Sequence, residues 1–165
     1  MDEFGTVEPA EVVFERRLAA PRERVWRALT DPKELAGWLA PTLVEPRVGG
    51  SIVIQFDGGE ARGTITEIRE PEVIAYTWRE GDTDSLLRFE LAPDAGGTRL
   101  TLRHTFEEEA DLAGFGAGWH QHLERLVAQL SGTPIGADWA RFRELRSEYE
   151  RKAQPRREAE LAREG

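Results

Sequence analysis

Few side chains in this sequence are equipped for chemistry, and they are scattered along it. His104 stands in the alternating run Leu100-Thr101-Leu102-Arg103-His104-Thr105-Phe106, on the strand face that also carries Leu100, Leu102 and Phe106. An inward imidazole at that place has two readings. It could donate to a ligand oxygen or act as general base, or it could be a core histidine bonded to a neighbouring side chain or carbonyl. Arg16 shares a strand face with Phe14 and Leu18. Its guanidinium does not lose its proton, so if it points inward it needs a carboxylate, several carbonyls or an anionic ligand. His120 and His122 resemble a metal pair until they are placed on a helix. Residues two apart then point about 200° apart and cannot grip one ion together, so no metal centre is expected. His120 is expected to face solvent.

Other chemistries are excluded more directly. There is no cysteine, which removes thiolate catalysis, disulfides and cysteine metal sites. No G-x-S-x-G, H-E-x-x-H or P-loop pattern occurs. The run Gly114-Phe115-Gly116-Ala117-Gly118 departs from G-x-G-x-x-G, has no parallel βαβ unit around it and follows three glutamates, Glu107 to Glu109, that would repel phosphate. No cofactor is therefore expected. A formal charge of -9 argues against nucleic acid or an anionic membrane as partner, because both need a cationic surface. With no long apolar run and no basic-then-apolar start, the expectation is a soluble, cytoplasmic protein. Lys33 and Lys152 are the only lysines among 22 basic residues, which fits a GC-rich bacterial coding sequence.

The elements that must position these residues can be read from periodicity. Leu112, Phe115, Trp119, Leu123, Leu126, Val127 and Leu130 recur at three- and four-residue intervals, which predicts one long helix over Asp111 to Leu130. Its three early glycines predict a loose or bent first turn, and Ser131-Gly132-Thr133-Pro134 supplies its stop. Residues 11–18 alternate as a strand, and six further strands are predicted between residues 42 and 106, separated by turn pairs such as Gly49-Gly50, Gly58-Gly59 and Gly96-Gly97. Such short connections cannot hold parallel crossovers, so the sheet must be antiparallel. Pro21 is expected in the first turn of a helix reaching Leu29, with Trp26 at its flank. Asp31-Pro32-Lys33-Glu34 then predicts a second short helix, capped by Asp31 and with a capping-box bond from Glu34. Trp38, Phe56, Tyr76, Trp78, Phe89, Phe115 and Trp119 fall at inward positions, where aromatics by default fill a core. The organisation is thus α+β, one domain over 11–132. It is preceded by a loose lead-in at 1–10 and followed by an additional helix at 133–153, with Trp139, Phe142 and Tyr149 on one stripe. A charged tail expected to be disordered occupies 154–165.

The stretch from Arg16 to Pro32, with Ala20-Pro21-Arg22-Glu23-Arg24-Val25-Trp26 at its centre, resembles the opening signature of the heat-shock protein 90 ATPase activator homologue family. Trp38-Leu39-Ala40-Pro41, Gly49-Gly50, Gly63, Tyr76-Thr77-Trp78, Gly97-Thr98-Arg99-Leu100 and Gly118-Trp119 keep the order of that family's later landmarks, over about residues 11–131. The family belongs to the SRPBCC, or START-like, superfamily. The resemblance implies a helix-grip fold like that of the pollen allergens: a curved antiparallel sheet wrapped around a long C-terminal helix, here with an extra C-terminal helix. It also implies a cavity between sheet and helix, used in the superfamily for lipids, flavonoid-like molecules or polyketides. Walls are then expected from Trp38, Phe56, Tyr76, Trp78, Phe89, Phe115 and Trp119, with Arg16, His104 and His122 as polar contacts and the glycine run as a flexible lip. The ligand would be a hydrophobic or aromatic small molecule, held by a monomer or homodimer without catalysis. One alternative is a polyketide cyclase or aromatase using His104. Another is a stress-response or co-chaperone-like adaptor that makes contact through Trp139, Phe142 and Tyr149. The co-chaperone that names the family carries a further domain ahead of this one, for which 165 residues leave no room, so direct activation of a chaperone ATPase is not expected.

Overall fold

The computed structural model describes the backbone of residues 4–8 and 11–164, and the side chains of residues 4, 5 and 11–152. Eight strands form one antiparallel sheet: β1 (Thr6–Glu8), β2 (Glu11–Leu18), β3 (Thr42–Val44), β4 (Ser51–Phe56), β5 (Gly59–Arg69), β6 (Val73–Glu80), β7 (Thr83–Asp94) and β8 (Gly97–Phe106). Their order is β1-β2-β8-β7-β6-β5-β4-β3, so the chain runs as a meander from β3 to β8 and returns its first two strands to the far edge. Four helices accompany it: α1 (Arg22–Thr30), α2 (Pro32–Trp38), α3 (Leu112–Leu130) and α4 (Trp139–Glu164). This is the helix-grip fold, with the curved sheet closing on α3.

The alternation of each strand decides which residues meet α3. Ile52 and Ile54 of β4, Ile74, Tyr76 and Trp78 of β6, Leu87, Phe89 and Leu91 of β7, and Leu100, Leu102, His104 and Phe106 of β8 are all buried. They join Trp119, Leu123 and Leu126 of α3 in one core. A register shift in β5 between Ile65 and Glu67 helps the sheet to bend. The outward face carries ion pairs such as Arg88 to Glu67 and Glu90, at 2.5 and 2.6 Å.

Several local expectations need correction. Part of the lead-in is β1, which pairs with β2; residues 1–3, 9 and 10 lie outside the described residues. Pro21 is the N-cap of α1 and not its first turn, and Trp26 is buried because α1 lies flat against the domain. Asp31 caps α2 through Lys33, as expected. Glu34 makes no return bond to the cap, since its carboxylate is taken by Arg24 at 3.1 Å and by Gln129 Nε2 at 2.9 Å. The first turn of α3 is regular, with the Asp111 carboxylate accepting from the Gly114 amide at 3.0 Å. Its glycines have another use. A Cβ on Gly116 would come within 3.2 Å of the Tyr149 ring, so the missing side chain lets α4 lie close against α3. The backbone of α4 continues through Glu164, over the stretch expected as a disordered tail; its side chains there lie outside the described residues.

Candidate functional site

Two groups of polar residues sit against α3, and they differ in kind. The first surrounds His104, which is fully buried. The indole Nε1 of Trp119 donates to His104 Nδ1 at 3.0 Å. An indole can only donate, so Nδ1 is the acceptor and Nε2 carries the proton. That proton goes to Ser85 Oγ at 2.7 Å, and Ser85 in turn donates to the carbonyl of Trp78 at 2.9 Å. Each group in the chain Trp119, His104, Ser85, Trp78 is thereby satisfied. Burial pushes the His104 pKa down to about 3, which keeps the ring neutral. Aromatic rings complete its surroundings: Phe106 stacks at 4.4 Å between centroids, with Phe115 at 5.1 Å and Trp78 at 5.3 Å edge-on. His104 thus knits β8, β7 and α3 together and has no nitrogen left for a substrate.

The second group borders an open cleft of about 570 Å³ at the end of the sheet, between the α2–β3 connection, the β4–β5 turn, the first half of α3 and the start of α4. Phe56, Trp78, Phe115 and Trp119 form its apolar walls, with Phe142 and the exposed Trp139 contributed by α4. Phe56 lies 6.0 Å from Trp78 and 5.9 Å from His122, centroid to centroid. His122 Nδ1 sits 3.2 Å from the carbonyl of Trp38. A carbonyl only accepts, so here Nδ1 carries the proton and Nε2 keeps its lone pair. Desolvation lowers the His122 pKa to about 4, opposed by the hydrogen bond to Trp38 and helped to a smaller extent by the charge of Arg125.

Arg125 also borders the cleft, one helical turn from His122. Its guanidinium donates to the carbonyls of Ile135 and Gly37, both at 3.3 Å, and its pKa is lowered by desolvation. Glu80 lies at the opposite rim and accepts from Trp78 Nε1 at 3.3 Å, with burial raising its pKa. Asp111 is already occupied by Arg146 at 2.7 Å.

The expected site residues therefore divide. Phe56, Trp78, Phe115, Trp119 and His122 come together around the cleft. Trp38, Tyr76, Phe89 and His104 do not border it, because the space expected between sheet and helix is filled by these very rings. Trp38 Nε1 is committed to the Ala28 carbonyl at 2.7 Å, and Phe89 packs edge-on against Trp38 and Trp119. Tyr76 is buried with its pKa raised by desolvation. Arg16 lies away from the cleft, its guanidinium 5.3 Å from the centroid of the Phe14 ring and donating to the Glu15 carbonyl. His120 is buried, not solvated, since α4 covers that side of α3 and brings Tyr149 Oη within 2.9 Å of its Nδ1.

Arg125, and the part that the expected C-terminal helix plays in the cleft, were missed at the level of sequence. Arg125 reads as an ordinary polar helix position, and only the fold reveals that it faces the cleft. The start of α4 did leave a signal: Asp138 caps it through the amides of Ala140 and Arg141, and is itself held by Gln121. Among the described residues no group of three or more histidine, aspartate or glutamate side chains is arranged to hold a metal, and no helix is long and apolar enough to cross a membrane.

Solved structures share this architecture. Protein MLL2253 from Mesorhizobium loti is 29% identical over 76% of this chain and 99% of its own, with a TM-score of 0.71. CalU16 from Micromonospora echinospora is 26% identical over 89% and 92%, with a TM-score of 0.74. CV1439 from Chromobacterium violaceum is 31% identical over 74% and 98%, with a TM-score of 0.67. No curated protein sequence matches the chain. The family model described as Activator of Hsp90 ATPase homolog 1-like protein matches residues 19–131, from the loop before α1 to the end of α3, and the chain belongs to that family.

Proposed function

We propose that the protein binds a flat, largely apolar small molecule in the cleft walled by Phe56, Trp78, Phe115 and Trp119, and does so without transforming it. The observation that carries this reading is the cleft itself: about 570 Å³, bordered by aromatic rings and reached by a histidine nitrogen still able to accept a hydrogen bond. The binding site is the open end of the sheet and not the interior between sheet and helix. Cyclase or aromatase chemistry on His104 finds no support, because both ring nitrogens are engaged and its pKa lies near 3. The adaptor reading also loses its motive: Tyr149 is buried and Phe142 packs on the core, leaving Trp139 alone exposed on that stripe.

Tryptophan fluorescence offers the test, since Trp78 and Trp119 border the cleft. Titration with naphthalene-2-carboxamide should give saturable quenching. Phe115→Ala should weaken binding about tenfold, the value of one well-packed aromatic contact. His104→Gln, which touches Trp119 and Phe115 only from behind the cleft, should change the affinity less than Phe115→Ala does. Absence of saturable binding for a panel of naphthalene- and anthracene-sized compounds would rule the reading out.

A further inference from the structure

We infer that the molecule for which this cleft is built is an apolar acid, its anionic oxygen group paired with Arg125 and an adjacent hydroxyl donating to Nε2 of His122. This deepens the binding reading above and rests on it. Arg125 is the unbalanced charge of the cleft. It is partly buried, and among the described residues its only partners are the two carbonyls of Ile135 and Gly37, both at 3.3 Å. An arginine carries five N–H donors, so three remain unused. The other arginine at the cleft differs: Arg146 is neutralised by Asp111 at 2.7 Å and Glu150 at 3.0 Å. A partly desolvated cation without a carboxylate is worse off than the same cation in water, and an incoming anion restores that loss. The lowered pKa of Arg125 follows from the same desolvation.

The acidic residues of the rim do not oppose this choice with equal weight. Asp57 is exposed, so its charge is screened, and Glu80 already accepts from Trp78 Nε1 and is pushed by burial toward its neutral form, so a cationic ligand placed near them gains little. His122 adds direction. Its Nδ1 proton is spent on the Trp38 carbonyl, and Nε2 can only accept. His122 and Arg125 lie three residues apart on one face of α3, close enough for the charge of one to depress protonation of the other. A ligand serving both must offer an acceptor with negative charge and, beside it, an O–H. An aromatic hydroxy-carboxylate meets that description, with its rings against Phe115 and Trp119.

Four probes of one size separate the possibilities: 3-hydroxy-2-naphthoate, 2-naphthoate, naphthalene-2-carboxamide and 2-naphthylmethylammonium, titrated into the full-length protein. The acid should bind about tenfold more tightly than the amide, and the hydroxy-acid more tightly again. Arg125→Gln should erase the preference for the acid while amide affinity stays within about twofold. Arg125→Lys, which keeps the charge and loses the fork, should retain part of it. Equal binding of acid and amide, stronger binding of the ammonium compound, or an acid preference surviving in Arg125→Gln would each overturn the inference. Amide binding without acid preference would leave the binding reading standing. If none of the four binds, both are refuted.

Discussion

Replacing His104 by glutamine isolates the contribution of one buried imidazole to acid sensitivity. In the folded protein the ring is neutral, with a pKa of about 3, because it is desolvated between Trp78, Phe106 and Phe115. In the unfolded chain it titrates near 6.5. The folded pKa is the depressed one, so the unfolded chain binds the extra proton. The stabilising effect is complete above about pH 6.5 and is lost progressively as pH falls toward 3. The slope approaches about 1.36 kcal/mol per pH unit. Between pH 6.0 and 4.5, where the unfolded histidine is mostly protonated and the folded one is not, the loss is about 2 kcal/mol. Over the whole range its ceiling is about 5 kcal/mol. His122, whose pKa is lowered to about 4, acts in the same direction and remains in the variant, so the informative quantity is the difference between the two proteins. Glutamine offers an acceptor for Trp119 Nε1 and a donor for Ser85, but in altered geometry, and should cost about 1–3 kcal/mol at pH 7.5. Urea unfolding followed by tryptophan fluorescence at pH 7.5, 6.0, 5.2 and 4.5 measures this directly. The gap between wild type and His104→Gln should shrink by about 2 kcal/mol from pH 6.0 to 4.5. A gap that stays constant would mean that His104 is already protonated in the folded state, and the neutral hydrogen-bond chain through Ser85 would be wrong.

The helix packing makes two further predictions. Gly118→Ala should stabilise the protein by about 0.8–1 kcal/mol in thermal denaturation, because its Cβ would meet Phe142 at an ordinary 4.0 Å while helix propensity improves. Gly116→Ala should forfeit that gain, since its Cβ would press to 3.2 Å on the ring of buried Tyr149; equal stabilisation by both would show that α4 does not lie where described. Tyr149→Phe removes the hydroxyl that accepts from the Gly5 amide and bonds His120, and should cost about 1–3 kcal/mol in urea unfolding, with protection from hydrogen exchange falling along α4.

Much of the architecture was legible because a period of two or of 3.6 residues leaves a mark wherever one face is buried. Leu87, Phe89 and Leu91 alternate with less buried neighbours on β7, and Trp119, Leu123 and Leu126 repeat along α3, so strands, helix and facing sides could be assigned. The site was harder to read because burial alone does not distinguish a filled core from a lined cleft. Tyr76 and Trp78 share a strand face and stack at 6.5 Å, yet only Trp78 reaches the opening. Position along the strand decides between them, and that depends on where α2 stops and α4 starts. His120 and His122 illustrate the same limit. Their opposite directions on α3 were correct, but the outward one is covered by a helix whose docking depends on absent side chains at Gly114 and Gly116. Arg125 left no trace in the pattern, because a part-buried cation without a carboxylate is defined by its surroundings and not by its neighbours in sequence.

The docking of α4 on α3 divides labour in the molecule. The residues matched by the family model end at 131, whereas Ala137, Trp139, Phe142 and Arg146 of the cleft follow that point. The floor of the cleft therefore belongs to the part that the family model matches, and one wall belongs to a segment fastened on its outside. Leu145 and Tyr149 are buried and hold that segment in place, whereas Trp139 at its start is exposed. On the proposed reading, the first turns of α4 bear on ligand choice, and Leu145 and Tyr149 on docking. Exchanging Ala137 and Trp139 while retaining Asp138, Arg141, Phe142, Leu145 and Tyr149 is the natural way to alter the wall without loosening the helix.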